Sequence, residues 1–100
     1  MKTTIEDKEG KLHVTLDGEL DTAAAAETEK EFKPLMDNGN KEIILDCENL
    51  KYISSSGLRL FLALLKNTKA KGGKLILKHV NDNILKVFKM TGFSSLFEIQ

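Results

Sequence analysis

The sequence predicts an α/β fold: a mixed sheet in the order β-β-α-β-α-β-α-β, covered by helices, in a single domain over residues 1–100. Three observations carry that prediction. Strand-length runs of apolar residues alternate along the chain with segments whose apolar residues recur at helical spacing. Glycines and capping residues separate the two kinds of segment. Hydrophobic residues make up 41% and charged residues 30% of 100 positions, which suffices for one core and leaves little for a second.

Ile5 marks a short first strand, and Leu12, Val14 and Leu16 alternate with polar residues as in a strand buried on one face. Gly10 between them supplies a hairpin turn, so the two strands pair antiparallel. Asp21 or Thr22 caps a first helix whose inner face carries Ala25, Thr28, Phe32, Leu35 and Met36. Gly39 ends that helix, and Pro34 kinks or shortens it because proline lacks a backbone donor. The continuous run Ile43, Ile44, Leu45 is expected of a central strand covered on both faces.

Leu58, Phe61, Leu62 and Leu65 form the stripe of a second helix, closed by Lys69, Lys71 and Gly72. The run Lys74–Lys78 repeats the buried-strand signature. Asp82 caps a third helix with Ile84, Leu85 and Phe88 inward and Gly92 as its stop. A short strand over Leu96–Ile99 closes the chain. Helices between successive strands imply parallel crossovers.

Fifteen basic and fifteen acidic residues give a net charge of zero, so no overall field draws the protein to nucleic acid, and direct nucleic-acid binding is not expected. The longest apolar run, Leu60–Leu65, is far shorter than a bilayer span, and the N-terminus is charged where a signal peptide is apolar. The expectation is a cytoplasmic protein without membrane insertion. Cys47 is the only cysteine, a small buried residue at a strand end, and His13 and His79 stand far apart in the chain. No metal site and no cofactor are expected.

Chemistry concentrates at Ser54, Ser55 and Ser56, which precede Gly57 and the apolar stripe of the second helix. Ser55 is well placed as N-cap, with Ser54 as the alternative and Ser56 and Gly57 in the first turn. A helix N-terminus accepts negative charge, so capping is compatible with a phosphate on the same turn. A catalytic nucleophile is disfavoured, because the stretch lacks the G-x-S-x-G elbow and no histidine is placed as base. Asp21 and Asp46 do not make a magnesium pocket, which needs several carboxylates. Leu60 and Leu64 lie on a second helical face that suits a partner, and Arg59, the only arginine, sits near the helix start as a partner contact or phosphate neighbour.

The segments "GELDTAAA", "KEIILDCENLKYISSSGLRLFLALLKNTKAKGGKLIL" and "ILKVFKMTGFSSLFEI" resemble a STAS domain of the stand-alone anti-sigma factor antagonist type, over essentially the whole chain. The resemblance implies a non-enzymatic switch. The unphosphorylated form binds an anti-sigma factor that is also a serine kinase, phosphorylation releases it, and a PP2C-type phosphatase restores it. The family's phosphoacceptor falls on Ser55, with Ser54 the less favoured site. Asp21, Ser54, Ser56, Gly57, Leu58, Arg59 and Leu60 fall in the partner-binding region, and a monomer is implied. Three departures stand out: Ser54 replaces the family's usual aspartate, Pro34 interrupts the first helix, and the sequence stops directly after the last strand. The alternative role is a STAS accessory subunit of a membrane transport complex for lipid or anion.

Overall fold

The computed structural model describes residues 1–100. The elements run β1 (Lys2–Lys8), β2 (Lys11–Leu20), α1 (Thr22–Glu31), α2 (Lys33–Asp37), β3 (Glu42–Asp46), β4 (Leu50–Ile53), α3 (Ser55–Lys71), β5 (Lys74–Lys78), α4 (Asp82–Thr91) and β6 (Glu98–Ile99), with a 3-10 turn over Phe93–Ser95. The sheet is mixed, in the order β1-β2-β3-β5-β6, with β4 also paired to β2. Only β1 and β2 are antiparallel, joined by a two-residue turn in which Glu9 and Gly10 both take positive φ, 56° and 80°. That backbone twist matches the twist of the strands it connects.

The alternation in β2 works as expected: Leu12, Val14 and Leu16 enter the core, together with Ile43 and Leu45 of β3 and Leu75 and Leu77 of β5. All four helices pack on this same face through Ala25, Phe32, Leu35, Phe61, Leu64, Leu65, Ile84 and Phe88, which join one apolar cluster. Ile44 and Ile76 are buried on the other face, outside that cluster. Strand-borne residues such as Lys11, Glu42, Lys74 and Lys78 surround them in a hollow of about 830 Å³ that no helix lines. The expectation that β3 is covered on both faces is therefore corrected: helices cover one face only, and Ile44 on the other shares its hollow with long charged side chains.

Several boundaries also differ from expectation. Leu50–Ile53 is a further strand that the expected order lacks; with Leu50 and Ile53 buried and Lys51 and Tyr52 exposed, four residues show no strand period. Of the two outcomes expected at Pro34 the helix is shortened and not kinked: α1 ends at Glu31, and a separate α2 starts at Lys33. Pro34 then occupies the first turn of α2, where a missing N–H costs nothing. Asn81, and not Asp82, caps α4 by accepting the Ile84 N–H at 3.1 Å. Its amide donates to the Leu50 carbonyl at 2.7 Å and so ties α4 to β4. The last strand is only Glu98–Ile99, because the 3-10 turn takes up Phe93–Ser95 and Phe97 turns into the core. Gly72 and Gly92 close α3 and α4 in left-handed conformation, as expected.

Candidate functional site

Strand β4 pairs with the end of β2, Leu20 opposite Ile53, and delivers the chain to the start of α3. The Ser54 N–H extends that ladder by donating to the Leu20 carbonyl at 2.8 Å. Ser54, with extended backbone, is the N-cap: its Oγ accepts the Gly57 N–H at 3.2 Å, and its carbonyl accepts the Leu58 N–H at 2.9 Å. The cap is thus one residue earlier than the favoured placement on Ser55. Ser54 is only 7% exposed. Ser55 is exposed at the first helical position and Ser56 is half-buried. The N–H groups of Ser55 and Ser56 have no intrahelical partner, and the positive end of the helix dipole lies there.

Gly57 fixes how closely this turn approaches the sheet. A Cβ at this position would lie 2.7 Å from Leu20 Cγ and 2.9 Å from Ile53 Cγ1, so only glycine fits. Leu58 is buried beside it, so Gly57 and Leu58 support the turn from below while Ser55 and Arg59 are exposed above. Asp21 follows Leu20 directly and is exposed; its Oδ1 caps α1 by accepting the Ala24 N–H at 2.8 Å. The β2–β4 pairing therefore brings the Asp21 cap and the serine turn side by side.

Ser56, Arg59 and Leu60 of α3 line a groove of about 300 Å³ together with Thr22, Ala26 and Glu29 of α1. Leu60 is half-buried there, whereas Leu64 is fully buried in the core; the expected second apolar strip of Leu60 and Leu64 is reduced to Leu60. Ala26 and Glu29 were missed as groove residues. Their signal was present as the spacing Thr22, Ala26, Glu29 along one helix face.

Cys47, just past β3, is fully buried with its Sγ toward the Leu45 carbonyl at 3.8 Å. Burial first, and the Asp46 charge second, push its thiol from 9.0 up to about 12. His13 and His79 do not stand apart as expected from their separation in the chain: both line one hollow of about 260 Å³ on the helix-free face, with Glu6 and Asp46. His79 Nδ1 lies 3.2 Å from Asp46 Oδ1, and a Glu48 oxygen is nearby.

These features define a small α/β module whose exposed polar chemistry meets at a helix start, beside a groove between two helices. The chain belongs to the STAS domain family, whose pattern matches residues 2–100. It is 34% identical over 99 residues to a Bordetella bronchiseptica protein provisionally described as the anti-sigma factor antagonist BtrV, across 99% of this chain and 85% of that one. It is 32% identical to the anti-sigma-B factor antagonist of Staphylococcus aureus, across 99% of this chain and 90% of the relative. The fold matches SpoIIAA of Bacillus in both its unphosphorylated and phosphorylated forms, with TM-scores of 0.75 and 0.74 at 24% identity, over 99% of this chain and 87% and 91% of those chains. No helix is long and apolar enough to cross a membrane.

Proposed function

We propose that this protein is an anti-sigma factor antagonist that acts by partner switching. The unphosphorylated form binds an anti-sigma factor that is also a serine kinase and frees the sigma factor. Phosphorylation of Ser55 ends that binding, and a PP2C-type phosphatase restores it. The reading is supported by relatives named as antagonists of anti-sigma factors and, within this chain, by one observation above all: Ser55 is exposed while the adjacent Ser54 is 7% exposed with its Oγ engaged by Gly57.

The chemistry follows from that difference. A kinase must reach the hydroxyl it modifies, and Ser55 Oγ is reachable without opening the cap. The phosphate adds about two negative charges at a helix start whose free N–H groups accept them. The domain therefore stays folded while its surface changes. The same charges stand beside Asp21 and the groove of Ser56, Arg59 and Leu60, the region that receives the partner, where they act by repulsion and desolvation.

The test is incubation with the cognate anti-sigma kinase and ATP, followed by mapping of the phosphate by mass spectrometry. Phosphate is expected on Ser55 and absent from Ser55→Ala. Ser54→Ala is expected to lose about 1 kcal/mol of stability as a lost cap but still to be modified. Ser55→Ala keeps the partner-binding form, and Ser55→Asp weakens partner binding in pull-down. Undiminished incorporation into Ser55→Ala would overturn the assignment.

A further inference from the structure

The strand ends on the helix-free face hold a second cluster, independent of the serine turn. Asp46 is the last residue of β3 and pairs in register with Lys78, the last residue of β5, so His79 leaves β5 directly beside it. The chain reverses after Asp46, and the Glu48 N–H donates to Asp46 Oδ1 at 3.0 Å. Two separate chain segments thus deliver an imidazole and two carboxylates to one place. One ligand atom from each of Asp46, Glu48 and His79 lies within 4.8 Å of the other two.

We propose that Asp46, Glu48 and His79 form a binding site for a divalent transition metal of the zinc class. Bonds of about 2.1 Å in tetrahedral arrangement place neighbouring ligand atoms about 3.4 Å apart. Asp46 Oδ1 and His79 Nδ1 are held 3.2 Å apart by a hydrogen bond, close to the length of one such edge, and a metal would take the place of the shared proton. Glu48 is exposed, so rotation of its side chain brings in the third ligand without a change in the fold. An imidazole among the ligands selects borderline metals over calcium and magnesium, which take oxygen alone. Cys47, although adjacent, is fully buried and belongs to the core, which leaves a nitrogen–oxygen site. Three protein ligands leave a fourth position to water, for which the neighbouring hollow of about 260 Å³ has room.

The other charged groups lining the hollow set the strength. Glu6 is 3.2 Å from Lys8, so these two charges offset each other. Lys78 lines the same hollow and makes no ion pair. Its charge opposes a bound cation. His13 lies on the neighbouring strand opposite Ile44, two residues before Asp46, and is not among the ligands.

The experiment uses tag-free protein freed of metal by chelator, titrated with zinc in a calorimeter and with cobalt(II) by visible absorption. One saturable ion per chain is expected. His79→Asn, chosen because asparagine tolerates the positive φ of 56° at this position, and Glu48→Gln should each weaken zinc by roughly tenfold or more. His13→Ala should leave affinity unchanged, and Lys78→Gln should raise it. Zinc should also raise the melting temperature of the unsubstituted protein and not that of His79→Asn, which reports binding without relying on heat of titration. Absence of saturation in the unsubstituted protein, or unaltered affinity in His79→Asn, overturns the proposal. Loss of binding in His13→Ala overturns this ligand set.

Discussion

Two neighbouring serines of the same chemistry differ here because one faces the sheet and the other faces water. Ser54 Oγ completes a cap, and Ser55 has no such task. The sequence shows both as candidates, because three consecutive serines carry no periodicity that separates inside from outside. Only the register of β4 on β2, through the Ser54 N–H and the Leu20 carbonyl, separates them. Cys47 was more legible, as a small residue ending an apolar strand, and it makes its own prediction. Its thiol is held up to about 12 in the folded protein against 9.0 in an open chain, by burial and then by Asp46. Between those values the unfolded chain releases a proton that the folded protein retains. The thiol's contribution to stability is thus complete below pH 9.0 and is lost as pH rises toward about 12. Urea midpoints between pH 9 and 11, taken with chelator present, should fall more steeply than those of Cys47→Ala. The difference approaches about 1.4 kcal/mol per pH unit; equal slopes would mean that the thiol titrates normally.

At the level of elements, the strongly periodic segments were legible and the short ones were not. Helix α3 kept Leu58, Phe61 and Leu65 of its expected stripe and its Gly72 stop because seventeen residues repeat the pattern, while Leu64 joined the core and Leu62 stayed half-buried. Strand β4 has only four residues, and the pairing that makes it a strand comes from β2, thirty-three residues earlier in the register of Leu20 with Ile53. Pro34 was legible as a disturbance, but a new helix starting at Lys33 was not, since the same residue is compatible with a kink or a first turn. The close approach of α3 to β4 also escaped sequence reading, although Gly57 marks it. That approach predicts a specific cost. Gly57→Ala raises helix propensity yet forces a methyl to within 2.7–2.9 Å of Leu20 and Ile53. Overpacking of this kind outweighs the propensity gain and should destabilise the protein by about 1–3 kcal/mol. Chemical denaturation would measure the loss, and a stabilised Gly57→Ala would show that the turn can lift from the sheet.

Over the whole molecule, the parallel crossovers were legible from the alternation of elements, whereas the side on which the helices sit was not. Ile43, Ile44 and Leu45 read alike in sequence, and nothing in that run shows that Ile44 faces the side without helices. With every helix on one side, the apolar core is a single cluster running from Leu20 and Ile53 beneath the serine turn to Phe88 and Phe97. Three rings bind its far end: Phe61 lies 6.3 Å from both Phe88 and Phe97, and these two are 5.7 Å apart. They join α3, α4 and the segment entering β6, so the helix that starts at Ser55 shares its packing with the far end of the molecule. Phe88→Ala should therefore weaken the serine turn as much as its own surroundings. A buried Phe-to-Ala change costs about 3–5 kcal/mol. With a urea dependence of about 1.5 kcal/mol per M, the midpoint falls by roughly 2–3 M. Far-UV circular dichroism should report that shift, and the amide signals of Ser55 and Ser56 in NMR should report the same one. If those two amides keep the original midpoint while the dichroism shifts, the serine turn and the aromatic end unfold as separate units, and the single-core account fails.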